Sequence, residues 1–113
     1  MEFIIKKKID GALGRAGEIT TAHGVIQTPA FVSVGTKATI KSLTPEEVKN
    51  LGAQVVLANT YHLYLQPGET VLKEAGKIQN FAGWDMPTFT DSGGFQAFSL
   101  GAGFDEDVSK VSD

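Results

Sequence analysis

The sequence predicts an α/β chain in which an N-terminal antiparallel β-hairpin region leads into the first three β/α units of an incomplete (β/α)8 barrel. Three observations predict it. Residues 1–28 alternate β-type runs with glycine turns, residues 29–59 place a capped helix between two apolar runs, and each apolar run ends in small or polar residues. The 113 residues read as a single incomplete domain, divided into antiparallel strands over 1–28, β/α units over 29–100 and a mobile acidic tail over 101–113.

Phe3 to Asp10 reads as a strand, and Gly11 to Gly17, with its three glycines, as a turn region. Glu18–Ala22 and Val25–Thr28 then form a hairpin around His23-Gly24, in which Gly24 is free to take positive φ. His23 is thereby a turn residue. Pro29 cannot donate to a ladder and ends it. Ala30-Phe31-Val32-Ser33-Val34 is apolar enough for a buried parallel strand. After a loop over Gly35 to Leu43, a helix begins with Thr44 as N-cap, Pro45 at the first helical position and Glu47 completing a capping box. Asn50-Leu51-Gly52 ends it with glycine past the last turn.

Gln54 to Asn59 is the second buried strand, so 30–59 make one βαβ unit. Thr60 to Leu65 leaves that strand carrying polar and aromatic groups. Gln66-Pro67-Gly68 turns into a second helix, Glu69 to Ala75, stopped by Gly76. A loop containing Trp84-Asp85 follows, with Trp84 as core or loop packing and Asp85 capping its turn. Pro87 to Thr90 makes the third strand, and Gly101-Ala102-Gly103 marks a mobile loop before Asp105-Glu106-Asp107. Three parallel strands need cover on both faces, and a closed barrel takes ~250 residues. The chain is therefore expected to be the opening part of a longer barrel or one piece of a split protein.

Composition excludes several classes. An apolar content of 42% with 20% charge suits a soluble globular domain. There is no run of ~18 apolar residues to span a bilayer, and Met1 to Lys8 lacks a signal-peptide pattern, so no membrane partner and a cytoplasmic location are expected. With no cysteine and only His23 and His62, no metal site is expected here. The net charge of −3 argues against a stand-alone nucleic-acid binder, and Lys6 to Lys8 read as a solvated strand end.

The most informative stretch is Thr90-Asp91-Ser92-Gly93-Gly94-Phe95-Gln96. A carboxylate, a hydroxyl, two positions without Cβ and an aromatic ring follow a short strand, which suits the binding of a flat polar ring. Taken alone, Asp-Ser-Gly-Gly is also common turn material. Val34 with Gly35, Asn59 with Thr60, and Asp91 with Ser92 all fall just after strand ends, so they are expected to converge on one face of one sheet.

Gly14-Arg15-Ala16-Gly17, His23 to Pro29, Val34-Gly35-Thr36, Ala58 to Leu63, Gln66-Pro67-Gly68, Gly83-Trp84-Asp85 and Thr90 to Gln96 resemble, in order and spacing, the tRNA-guanine transglycosylases, and most closely the bacterial queuosine-pathway enzymes. The resemblance runs from about Gly14 to Leu100. It implies a TIM-type (β/α)8 barrel that exchanges guanine at the tRNA wobble position for a 7-deazaguanine through a covalent ribosyl-aspartate intermediate. It implies that Asp91 is the proton acceptor, that Ser92, Gly93 and Gly94 line the base pocket, that Phe95 stacks on the purine, and that Gln96, Asn59, Leu57 and Val34 lie around base and ribose. The partners it implies are tRNA, the base, and a second copy or a complementing C-terminal chain. The family's nucleophilic aspartate and its zinc site of three cysteines and a histidine lie beyond residue 113. The isolated chain is therefore expected to lack base exchange, and a non-catalytic base-binding or assembly module is the alternative.

Overall fold

The computed structural model describes residues 1–105 and 108–111. Strands β1 (Glu2–Lys8), β2 (Arg15–Thr21) and β3 (Gly24–Thr28) form an antiparallel sheet in sequence order. A bulge between Ile5 and Lys7 interrupts the outer ladder. The run Gly11 to Gly17 is shorter as a turn than its glycines suggest, because Arg15, Ala16 and Gly17 already pair with β1. Gly17 accepts the Phe3 ring against its backbone, where a Cβ would stand 2.6 Å from a ring carbon.

The hairpin is offset by one residue from the sequence reading. Thr21 pairs with Gly24, leaving Ala22 and His23 as the central pair. The Thr21 hydroxyl decides this: it accepts from His23 N at 3.1 Å and donates to the Gly24 carbonyl at 2.8 Å.

A second, parallel sheet contains β4 (Ser33–Val34), β5 (Val56–Ala58) and β6 (Thr88–Thr90) in that order, with Val34 beside Leu57 and Ala58 beside Thr90. Between β4 and β5 runs α1 (Pro45–Asn50), with both halves of its capping box formed: Glu47 N donates to Thr44 Oγ1 at 3.2 Å and Thr44 N to Glu47 Oε2 at 2.8 Å. The apolar run 30–34 was expected to be a buried strand, but only two of its residues are strand. Because β4 is the edge of the described sheet, Phe31 and Val34 are 83% and 58% exposed.

Between β5 and β6 the chain makes three short helices, α2 (Thr60–Leu65), α3 (Glu69–Glu74) and α4 (Ile78–Ala82), where the sequence suggests one. The helix α2 forms because Asn59 serves as its N-cap, accepting from His62 N at 3.1 Å. The core joins Ala38, Val48, Val56, Ala58, Leu63, Trp84 and Met86. Trp84 packs against Gly35, where an added Cβ would sit 2.6 Å from the indole. Asp85 does not cap its turn. It pairs with Lys49 of α1 at 2.8 Å and tethers the approach to β6.

The Gln54 side chain bridges the two sheets. Gln54 Oε1 accepts from Gln27 N at 2.7 Å, and Gln54 Nε2 donates to the Gln27 carbonyl at 3.3 Å.

After β6 comes α5 (Gly94–Gly101), then β7 (Ala102–Asp105) paired antiparallel with β8 (Val108–Val111). Gly101 thus ends a helix and Ala102 opens a strand, in a stretch read from sequence as a glycine loop and acidic tail. Glu106, Asp107, Ser112 and Asp113 of that tail lie outside the described residues. Among the described residues no helix is long and apolar enough to cross a membrane.

Candidate functional site

The carboxyl ends of the three parallel strands are stitched side by side. Gly35 N donates to the Leu57 carbonyl at 2.8 Å, Asn59 N to the Thr36 carbonyl at 3.1 Å, and Asp91 N to the Ala58 carbonyl at 3.4 Å. The expected convergence of Val34, Asn59 and Asp91 on one face is therefore present.

At its centre is the Asp91 side chain. Asn59 Nδ2 donates to Asp91 Oδ2 at 2.7 Å, and the backbone N–H of Thr60 donates to Oδ1 at 3.0 Å. The Thr60 hydroxyl donates to the Asp91 carbonyl. Asn59 is 8% exposed and spends its other amide atom on the α2 cap, so its amide is fixed at both ends. A carboxylate offers about four lone-pair positions. Two are occupied, and the rest can accept N–H groups from a ring presented edge-on.

The Asp-Ser-Gly-Gly turn is shaped by packing. Gly93 is buried with φ 68°, and a Cβ there would lie 2.7 Å from Tyr61 N. The space left by its missing side chain admits the first turn of α2. Ser92 Oγ accepts from Gly94 N at 3.3 Å, which opens α5. Phe95, on the first turn of that helix, is 76% exposed, while Gln96 is half-buried. Leu57 is half-buried beside Val34 in the ladder.

The residue that sequence reasoning undervalued is Thr60. Read only as a strand end, it makes two hydrogen bonds to Asp91. The available signal was its place directly after Asn59, where a helix start turns a backbone N–H toward the neighbouring strand end. Among the described residues no group of three or more histidine, aspartate or glutamate side chains could hold a metal. A zinc site of three cysteines and a histidine does not fit a chain without cysteine.

Residues 10–112 match the family described as queuine tRNA-ribosyltransferase. Proteins of that name include one from Roseiflexus sp., 58% identical over 100 residues, covering 88% of this chain and 25% of the relative. One from Desulforamulus reducens is 57% identical over 97 residues, covering 86% and 26% respectively. One from Moorella thermoacetica is 50% identical over 111 residues, covering 98% and 28%. The chain thus spans about a quarter of the length of the curated relatives it matches. With the family pattern running through both the strand-end stitching and the Asp91 cluster, the chain belongs to the queuine tRNA-ribosyltransferase family.

Proposed function

We propose that the chain forms the base-binding quarter of a cytoplasmic tRNA-guanine transglycosylase, which replaces guanine at the anticodon wobble position with a 7-deazaguanine. The observation supporting it is the Asp91 carboxylate, oriented by Asn59 and Thr60 at the end of β6 with acceptor capacity to spare. A guanine-type base carries adjacent N–H donors along one edge, and a fixed carboxylate rewards that edge over rings lacking it. Asp91 accepts the proton during exchange. Ser92, Gly93 and Gly94 line the base, Phe95 covers one ring face, and Gln96, Leu57 and Val34 border base and ribose.

The ribosyl intermediate forms on an aspartate outside this chain, so exchange requires the completed barrel. The test is a chimera in which this chain replaces the aligned quarter of the Moorella thermoacetica relative. The chimera is expected to incorporate labelled guanine into tRNA, and Asp91→Ala to lower kcat/KM by about 100-fold or more. An Asp91→Ala chimera with undiminished exchange overturns the reading, as does measurable exchange by the unfused chain.

A further inference from the structure

The two glycines that follow Ser92 do different work. Gly94 is exposed, and a Cβ there would meet Ser92 Oγ at 3.5 Å, an ordinary van der Waals contact. Gly93 is buried, and a Cβ there would meet Tyr61 at three atoms, N at 2.7 Å, Cβ at 2.8 Å and Cα at 3.2 Å. Those atoms belong to the main chain or are fixed to it, so no change of rotamer relieves the contact. Only a residue without a side chain lets Tyr61 come this close.

The contact is in step with the hold on Asp91. Asn59 Nδ2 and the Thr60 N–H bond the Asp91 carboxylate, the Thr60 hydroxyl bonds the Asp91 carbonyl, and the next residue, Tyr61, rests on Gly93. The direction of a peptide N–H is set by the backbone on either side of it, so the Thr60 bond holds only while the first turn of α2 keeps its seat. Gly93 carries a second helix start as well. Its carbonyl accepts from Ala97 N at 2.9 Å and closes the first turn of α5, which bears Phe95 and Gln96.

We propose that Gly93 is a positioning residue for base exchange: its bare α-carbon seats Tyr61, which fixes the Thr60 N–H on the Asp91 carboxylate and sets that carboxylate relative to Phe95. The assignment rests on the base-binding role proposed above. Whatever its peptide group offers a base, its missing side chain serves α2. Any side chain at 93 has to drive Tyr61 back from 2.7 Å to about 3.4 Å, where ordinary contact begins. Misplacement of about 1 Å at a reacting group costs about 100-fold in rate.

The test follows the Thr60 amide proton by NMR in the full chain, with guanine exchange measured in the chimera. Asp91→Asn identifies the bond, since a neutral acceptor shifts the proton upfield. Gly93→Asn, which suits left-handed backbone but adds a side chain, is expected to shift it upfield as well and to lower kcat by about 100-fold. Gly94→Ala is expected to leave the proton in place. A Thr60 proton unmoved by Gly93→Asn, or moved equally by Gly94→Ala, overturns the proposal. Should Gly93→Asn fail to fold, the wild-type cross-peak between the Gly93 α-protons and the Tyr61 N–H decides: its presence supports the seat, and its absence overturns it. The two readings fail separately. Undiminished exchange by an Asp91→Asn chimera removes the base-binding role, whereas an inactive Asp91→Asn with an unmoved Thr60 proton in Gly93→Asn removes only the role of Gly93.

Discussion

Asn59 Nδ2 and Asp91 Oδ2 lie 2.7 Å apart across 32 residues of sequence, joining the end of β5 to the end of β6. Thr60 completes the hold from the next position, with one bond to the carboxylate and one to the Asp91 backbone. The carboxylate therefore has a defined direction before any ligand arrives, and preorganisation of this kind lowers the cost of binding.

Thr60→Val keeps the shape of the side chain and the backbone N–H while deleting the hydroxyl. In the chimera it is expected to lower kcat/KM for guanine exchange by about fivefold, the worth of one hydrogen bond of about 1 kcal/mol. Thr60→Ser should restore most of it. Steady-state kinetics on the pair checks this; equal activity of valine and threonine would remove Thr60 from the positioning role.

Gly93→Ala meets two obstacles, a left-handed φ of 68° and the Tyr61 backbone 2.7 Å from the new methyl. The backbone conformation alone costs about 1–2 kcal/mol. Urea unfolding of the chain is expected to show at least that loss, and Ser92→Ala, which touches only the Gly94 N–H, a smaller one.

Gly35→Ala pushes a methyl to 2.6 Å from the Trp84 ring and 3.1 Å from Val56. Overpacking of this sort costs about 1–3 kcal/mol. Because the chain has a single tryptophan, its fluorescence reports the site directly: a red shift with lowered stability is expected, against no shift if Trp84 can move without cost.

Two exposed carboxylates tie stability to acid pH. The Thr44 backbone N–H, then its hydroxyl, hold Glu47 below its ordinary 4.5. The Lys49 hydrogen bond, then its charge, hold Asp85 below its ordinary 3.8. A carboxylate with a lowered folded pKa stabilises the fold above its unfolded value and loses that contribution as pH falls through the folded one. Thermal midpoints should therefore drop below about pH 4.5, and Glu47→Gln with Asp85→Asn should flatten the profile there. A double variant with the wild-type profile would contradict the assignment.

Much of this was legible because its causes are local. Thr44, Pro45 and Glu47 specify α1 within four residues, and the structure forms the box in full. The polar ends of the parallel strands were legible too, since apolar runs ending in Asn59 and Asp91 already imply one face. What escaped depends on distant groups. The start of α2 hinges on Asn59 capping one helix and orienting Asp91 at once, and nothing in Thr60-Tyr61-His62 alone signals a helix. Phe31 looks like core until β4 is found at an edge. The hairpin offset turns on a single hydroxyl, Thr21.

Gln54 offers a primary amide to Gln27 in the way a further strand offers a peptide group, donor and acceptor together. The residue that introduces β5 thus finishes the rim of the antiparallel sheet. One side chain thus carries both hydrogen bonds of the junction, so that Gln54→Ala removes donor and acceptor together and leaves the Gln27 peptide group without either partner.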